Sequence, residues 1–357
     1  MAFTASHLGD VVLRQGEMWA NPRSERRLIK DVTAKTLMGN QQVRFDPVLT
    51  GNRCIGVKTH WLTLCAASTL VGFGSGSDIS TCDISGNPIE SESKTYTPNF
   101  WAKDSFIVWD DECKDAYTTV EKTAKAMLEK KLGIENKLNE FLVAQLEANL
   151  MANAFLTADS EQGGTYTSGT KTFSYPAAKW VPDLMAELAV MANRNLITNP
   201  LYLHGTNLFQ LNWNAGFNSL NDNQRDQLAK LSALNHYWDM PTIDPISGTK
   251  TTYIIDPGGY GFFCKNEFTN TAPERRADDT YTWVENSNNY SYLDGGVSTP
   301  LKYDITMKEK CTTTTVSGRV VRRWGKVYEI ALAGGFIFNP MGCGKTDDTG
   351  ILKLTKV

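Results

Sequence analysis

No proline interrupts the chain between Pro98 and Pro176, and Gly133 is the only glycine between Asn99 and Gln162. Proline and glycine are the residues that most readily end or weaken a helix, so this stretch is free to form a long one. From Glu112 to Ala158, apolar residues fall at Val120, Ala124, Met127, Leu128, Leu132, Leu138, Phe141, Leu142, Leu146, Leu150 and Phe155. These are steps of three and four, the period of one helix face. Gly133 is expected to bend or break the rod. That leaves Ile134 to Ala158 as the main helix, roughly 37 Å long at ~1.5 Å per residue, with Glu112 to Leu132 as a separate helix leading into it. Asp110, Asp111 and Glu112 put negative charge at the expected N-terminus, where the helix dipole favours it. A rod that spans a whole small domain suggests a building block rather than a compact catalytic globule.

The rest of the chain is large enough for two packed lobes: 357 residues, 41% hydrophobic and 21% charged, ordinary for a folded protein. A net charge of −3 makes no global electrostatic case for nucleic acid or membrane, and leaves little long-range repulsion between copies. Met1 to Trp19 lacks the pattern of a signal peptide, and no apolar run is long enough to span a bilayer. Seven dispersed cysteines without a CxxC pair point to reduced thiols in a cytoplasmic compartment.

Two segments flank the rod. Before it, Gly56 to Leu70 has strand character. From Ser68 to Thr97, 15 of 30 residues are Gly, Ser or Thr. Such a composition cannot bury enough surface to order itself, which leaves either disorder or a long hairpin ordered by contacts outside its own lobe. Ser105 to Trp109 then reads as a short strand. After the rod, Val181 to Asn195 reads as an amphipathic helix and Leu201 to His204 as a buried strand. Thr206 and Asn221 are expected to cap two further helices. Thr251 to Ile255 and Gly261 to Lys265 are expected to pair as a hairpin through Pro257-Gly258-Gly259. From Pro300 the character is β, with Gly318 and Gly325 as turns or bulges. At the N-terminus, Trp19 with Arg23, Glu25, Arg26, Arg27 and Lys30 fits either a short solvated helix or an arm reaching a neighbouring subunit.

The motif search yields no catalytic constellation. Gly342-Cys343-Gly344-Lys345-Thr346 resembles the end of a phosphate-binding loop, but Asn339 stands where its first glycine belongs and no helix has room to follow. Gly72-Phe73-Gly74-Ser75-Gly76 has no following helix, so it fails the dinucleotide pattern. His7, His60, His204 and His236 are far apart, and none lies in a zinc-binding pattern. His204 ends an apolar strand, where a satisfied buried imidazole is expected. Arg319, Arg322, Arg323 and Lys326 form the densest basic cluster: on a strand, Arg319 and Arg323 share one face and Arg322 takes the other. It reads as an edge protected from aggregation or as a contact to packaged nucleic acid or a partner's carboxylates. No residue is marked as catalytic, cofactor-binding or metal-ligating.

The order of these segments resembles the major capsid proteins of tailed bacteriophages, a fold shared with encapsulins and the herpesvirus capsid floor. The likeness runs over most of the chain and includes Trp180-Val181-Pro182-Asp183-Leu184 opening a helix that leads to Pro200-Leu201-Tyr202-Leu203. It implies an α+β fold in which residues 1–50 form an N-terminal arm and 51–110 an extended β-hairpin loop with peripheral strands. Residues 111–177 would hold the spine helix of a peripheral lobe, 178–299 an inserted axial lobe, and 300–357 the return strands of the peripheral lobe. It also implies pentamers and hexamers closing into an icosahedral shell in the virion, assembled in the host cytoplasm. The shell would enclose double-stranded DNA without sequence-specific binding, with scaffold, portal or decoration proteins as further partners and no membrane or cofactor. Some members cross-link subunits through a Lys–Asn bond, and no such pair is identified here. Trp19, Arg23, Arg26, Arg27, Tyr96, Phe100 and Trp101 are the expected assembly-interface residues. Competing readings are an encapsulin-like shell, a jelly-roll coat or tail protein, and a nucleotide-dependent enzyme using Lys345 and Thr346.

Overall fold

A computed structural model describes residues 5–19, 32–50, 53–63, 90–110, 118–151, 164–176, 184–195, 197–205, 236–239, 243, 251–286, 301–316, 319–338 and 349–356. Helices α1 (Ala5–Trp19) and α2 (Val32–Asn40) precede strands β1 (Asp46–Thr50), β2 (Arg53–Thr63), β3 (Glu90–Tyr96) and β4 (Phe100–Trp109). Helix α3 (Thr119–Ala148) leads to β5 (Thr165–Thr167), β6 (Thr172–Tyr175), α4 (Leu184–Arg194), β7 (Leu201–His204) and β8 (His236–Trp238). There follow β9 (Thr251–Ile255), β10 (Tyr260–Lys265), β11 (Glu274–Arg275), β12 (Thr280–Asn286), β13 (Lys302–Val316), β14 (Arg319–Phe338) and β15 (Ile351–Lys356). The fold is α+β.

The long helix runs unbroken through Gly133, where the sequence predicts a bend. Gly133 faces open space, while Leu132 and Ile134 beside it are buried. A mid-helix glycine costs about 1 kcal/mol, and each buried aliphatic side chain contributes about 1.5–3 kcal/mol, so packing overrides local propensity. The start also differs from expectation. Thr118 is the N-cap: its hydroxyl accepts from Glu121 N at 3.2 Å, and the Glu121 carboxylate accepts from Thr118 N at 2.9 Å. This capping box, not the Asp110–Glu112 cluster, supplies the acidic first turn. Asn149 closes the other end, and residues 111–117 and 152–158 lie outside the described residues.

The described strands form three sheets, of which the second and third pack against α3. The first is the antiparallel meander β1-β2-β3, in which Val57 lies opposite Tyr96 and Thr63 opposite Glu90. Its last strand lies within the segment expected not to order itself, while residues 64–89 lie outside the described residues. The second runs β10-β14-β13-β12-β11, with β4 also on β14; one face packs on α3 through Ile305, Tyr328, Ile330 and Leu332. The third runs β5-β6-β15-β9-β7-β8. Strands β7 and β9 are buried along their whole length, the pattern of a sheet covered on both faces. Leu201, Leu203 and Ile255 join the α3 core, while Tyr202, Ile254 and Leu354 join the core under α4.

Two expectations give way here. β9 and β10 do not pair with each other: β7 and β15 occupy both edges of β9, and β10 crosses to β14. The sheets also cut across the predicted lobe boundaries. Tyr260–Asn286, expected in the axial lobe, pairs with the return strands, whereas β15, expected in the peripheral lobe, closes the third sheet. Strand pairing is non-local, so segment order along the chain does not reveal it.

Gly325 is neither turn nor bulge. It lies inside a continuous ladder, opposite Lys310 on one side and Trp109 on the other. A Cβ there would sit 2.7 Å from both the Trp109 ring and Val108 O, so the indole takes the side chain's space. Gly325→Ala should therefore destabilise by about 1–3 kcal/mol, the usual range for overpacking, readable as a lower denaturation midpoint. An unchanged midpoint would show that Trp109 does not pack over this position.

Candidate assembly surfaces

The expected interface residues fall into different environments. Trp101 projects from β4 with 68% of its surface exposed. Phe100, its neighbour on the opposite face, is buried against Phe141 at 5.1 Å between ring centroids and Phe262 at 6.5 Å. Tyr96 is buried too, and its hydroxyl donates to Phe338 O. With Val57, Phe263 and Ile337 it ties the root of the β2–β3 ribbon to the second sheet. Burial pushes its phenol up to about 12. Phe100 and Tyr96 thus spend their rings within the core, while Trp101 stays exposed with Lys103 Nζ 5.5 Å from its ring centroid. Trp19 ends α1, and Arg23, Arg26 and Arg27 lie outside the described residues.

The N-terminal segment folds back on the chain's own α3. Val11 and Gln15 of α1 are buried, and α2 is held by Ala34 N donating to Asn139 Oδ1 at 2.8 Å. These contacts expose a feature the apolar periodicity hid. Lys131, Glu135 and Asn139, four residues apart on α3, are all buried. Lys131 pairs with Glu285 of β12 and donates to Gln15 Oε1 at 3.1 Å. Glu135 accepts from the Tyr303 hydroxyl. Asn139 donates to Asp239 at 2.8 Å, and the same Asp239 oxygen accepts from Thr33 Oγ1 at 2.6 Å. The clue in the sequence is the four-residue spacing beside the apolar stripe, which puts these polar groups on the same buried side.

His204 and His236, distant in sequence, meet across the β7–β8 pair. His204 Nε2 lies 2.7 Å from His236 Nδ1, and His204 Nδ1 lies 3.2 Å from Thr252 Oγ1. The Tyr202 ring stacks on His236 at 4.4 Å. Burial holds both imidazoles below their usual pKa, His236 at about 4. The satisfied buried imidazole expected at His204 is present. No group of three metal-ligating side chains occurs among the described residues. The Gly342–Thr346 motif lies outside them. Among the described residues no helix is long and apolar enough to cross a membrane.

In the basic cluster, register places Arg322 opposite Thr313 and Arg323 opposite Thr312, on opposite faces of β14. The β4 ladder runs to Gly325 opposite Trp109, and just past it Asp110 N donates to Trp324 O at 2.9 Å. The Arg323 guanidinium lies over the Trp109 ring at 5.3 Å, whereas Arg322 is exposed and Lys326 is buried. Apolar exposure gathers nearby at Val320 and Trp324. Exposed apolar side chains grouped with arginine and tryptophan have the composition of protein–protein interfaces.

No protein-family model and no curated protein sequence matches the chain. Among solved structures, it is similar to a chain of Mycobacterium phage Cain, at 12% identity over 90% of each chain with a TM-score of 0.45. It is also similar to the capsid structure of cyanophage P-SCSP1u, at 10% identity over 89% of this chain and 86% of that one, TM-score 0.42. A third is the mature capsid of bacteriophage PhiM1, at 9% identity over 88% and 90%, TM-score 0.40.

Proposed function

We propose that this chain is the repeating structural subunit of a closed icosahedral shell that encloses double-stranded DNA, in the manner of tailed-phage major capsid proteins. The observation that carries this reading is the β2–β3 ribbon. Among the described residues it meets the body near its root, through Val57, Tyr96 and Lys94 against Phe263, Ile337 and Phe338. Its second strand belongs to the stretch Ser68 to Thr97, half of it Gly, Ser or Thr, a composition expected not to order itself. A projecting ribbon of this composition gains its order from another molecule, and many such modest contacts sum in a shell.

Other features agree. Exposed Trp101, Val320 and Trp324 are suited to subunit contacts, and weak net charge lets copies pack densely. In this reading α3 is the spine, the second sheet forms the peripheral lobe, and the third sheet with α4 forms the axial lobe. Pentamers and hexamers close the shell in the virion after assembly in the host cytoplasm, with scaffold, portal or decoration proteins as further partners. The role is structural rather than catalytic.

Electron microscopy of the purified chain should show closed shells or their pentamers and hexamers. A species that stays monomeric at all concentrations and salt conditions would overturn the reading. Joining Thr63 to Glu90 through an Asn-Gly turn, which suits a two-residue hairpin, should leave a folded monomer unable to form shells. Loss of the monomer's fold would assign residues 64–89 to its own core instead.

A further inference from the structure

We propose that β4 of one copy pairs antiparallel with β4 of a second copy across a two-fold axis, so that two copies share one continuous sheet. β4 lies at an edge of the second sheet: β14 takes one side of it, and among the described residues no strand takes the other. Asp110 N donates to Trp324 O at 2.9 Å, one step past the Trp109–Gly325 pair. Alternation therefore turns the backbone groups of the even-numbered residues toward β14, and those of Trp101, Lys103, Ser105, Ile107 and Trp109 outward. Ser105 agrees, since its N–H is taken by its own Asp104 Oδ1 at 2.7 Å rather than by β14. A row of outward N–H and C=O groups of this length is a template for another strand.

Edge strands are commonly guarded by charged side chains, but here the charges turn back on their own chain. Lys103 meets Glu329 at 3.4 Å, and Asp104 meets Lys130 of α3 at 2.8 Å. On the face opposite α3 the strand shows Trp101, 68% exposed, and Ile107, 41% exposed. Register then selects the occupant. Centring a two-fold pairing on Lys103 or Asp104 sets like charges directly opposite each other, which is destabilising. Centring it on Ser105 avoids both and pairs the strand along nearly its whole length. Trp101 then lies opposite Trp109 of the second copy, an aromatic cross-strand pair, and Ile107 lies opposite the aliphatic stem of Lys103.

The long helix leaves room for this pairing. Lys130 reaches β4, while Lys131 reaches Glu285 of β12 and Glu135 reaches Tyr303 of β13, so α3 sits over β14 and β13, inside the edge. Across the joined edge the two β14 strands stand three spacings apart, ~14 Å at ~4.8 Å each, wider than the roughly 8–10 Å between packed helices. The contact is isologous, the commonest way for copies of one chain to join, and it does not depend on the shell reading above.

Cross-linking tests the register. Opposed residues of a hydrogen-bonded antiparallel pair stand ~5.5 Å apart at Cα, within disulfide reach. Oxidised Ser105→Cys should therefore give a dimer band on a non-reducing gel well above that of wild type. Lys103→Cys, whose counterpart in the second copy lies roughly 13 Å along the strand at ~3.3 Å per residue, should not. Ser105→Pro removes an outward N–H and leaves the β14 ladder intact. With an unchanged circular dichroism spectrum, it should raise the dimer dissociation constant at least about tenfold in ultracentrifugation. Ile107→Lys, which sets a like charge opposite Lys103, should do the same and serves where the proline variant does not fold. A Ser105→Cys yield no higher than wild type, or one equalled by Lys103→Cys, overturns the pairing. So does a folded Ser105→Pro or Ile107→Lys chain that dimerises as wild type does. Shells without the Ser105→Cys cross-link overturn this contact and leave the shell reading standing, whereas cross-linked dimers from a chain that forms no shells support this contact and overturn that reading.

Discussion

Lys131→Met should destabilise the folded chain by about 3–5 kcal/mol, the usual cost of leaving one member of a buried ion pair without its partner. Lys131 and Glu285 are 1% and 5% exposed, so water cannot replace the ammonium around the abandoned carboxylate. The change also removes the donor to Gln15 and the cation 5.5 Å from the centre of the Tyr303 ring. Replacing both charges, as in Lys131→Met/Glu285→Met, should return stability to within about 2 kcal/mol of wild type, because the desolvation of the pair largely offsets its attraction. Lys137→Met, whose side chain is exposed beside Glu140, should change stability by less than about 0.5 kcal/mol. Urea midpoints at constant m-value read all three. A single variant as stable as wild type would show that Lys131 reaches solvent.

That prediction bears on assembly because the network joins four elements. Gln15 belongs to α1, Lys131 and Glu135 to α3, Glu285 to β12 and Tyr303 to β13. It fixes the N-terminal helix and the second sheet to the same side of the spine. Under the proposed shell reading, α3 held in this way gives the β2–β3 ribbon a rigid base, and rigid placement lowers the ordering cost of a subunit contact.

The long helix was legible because its apolar period persists over many turns, and periodicity is the strongest signal a sequence carries. Its ends were less so. The helix propensity of Glu112 to Ala158 obscured the Thr118–Glu121 capping box, although that box stands in the sequence. The break assigned to Gly133 failed because propensity is a local cost of about 1 kcal/mol, and tertiary packing on both sides outweighs it. Gly325 misled for a related reason. Glycine signals special geometry, but a sequence does not say whether that geometry is a turn or an indole lying across the backbone. The partner strands of β10 and β15 were not legible, since pairing depends on which edges other strands have already filled. For the candidate surfaces, Trp101 could be named from its residue type, but Tyr96 and Phe100 look the same by that criterion. Only their alternation against Phe338, Phe141 and Phe262 turns them inward.

Acid should weaken the third sheet before it weakens the second. His204 and His236 are held neutral by burial, His236 with a pKa of about 4 against 6.5 in an unfolded chain. Between those values the unfolded state takes up a proton that the folded state excludes, so stability falls as pH falls, by about 1.4 kcal/mol per pH unit for a single such group. Integrated from pH 6.5 down to about 4, His236 alone accounts for roughly 3 kcal/mol, and His204 acts in the same direction. Above pH 6.5 both states are neutral at these sites and the dependence vanishes. Asp256 and Asp304 act oppositely, because burial raises their carboxyl pKa, so the histidine contribution is the difference between wild type and a histidine variant from pH 6.5 down to about 4. Stability curves there should slope steeply for wild type and flatten for His236→Asn, which keeps a neutral polar group beside His204 Nε2. The site of failure follows from the topology. His236 lies on β8, an edge strand held by a short parallel pairing to β7, with few backbone bonds to resist opening. Hydrogen exchange at pH 5 should therefore report loss of protection in β7 and β8 while β13 and β14 remain protected. Equal loss across both sheets would show that the histidine pair titrates only with global unfolding.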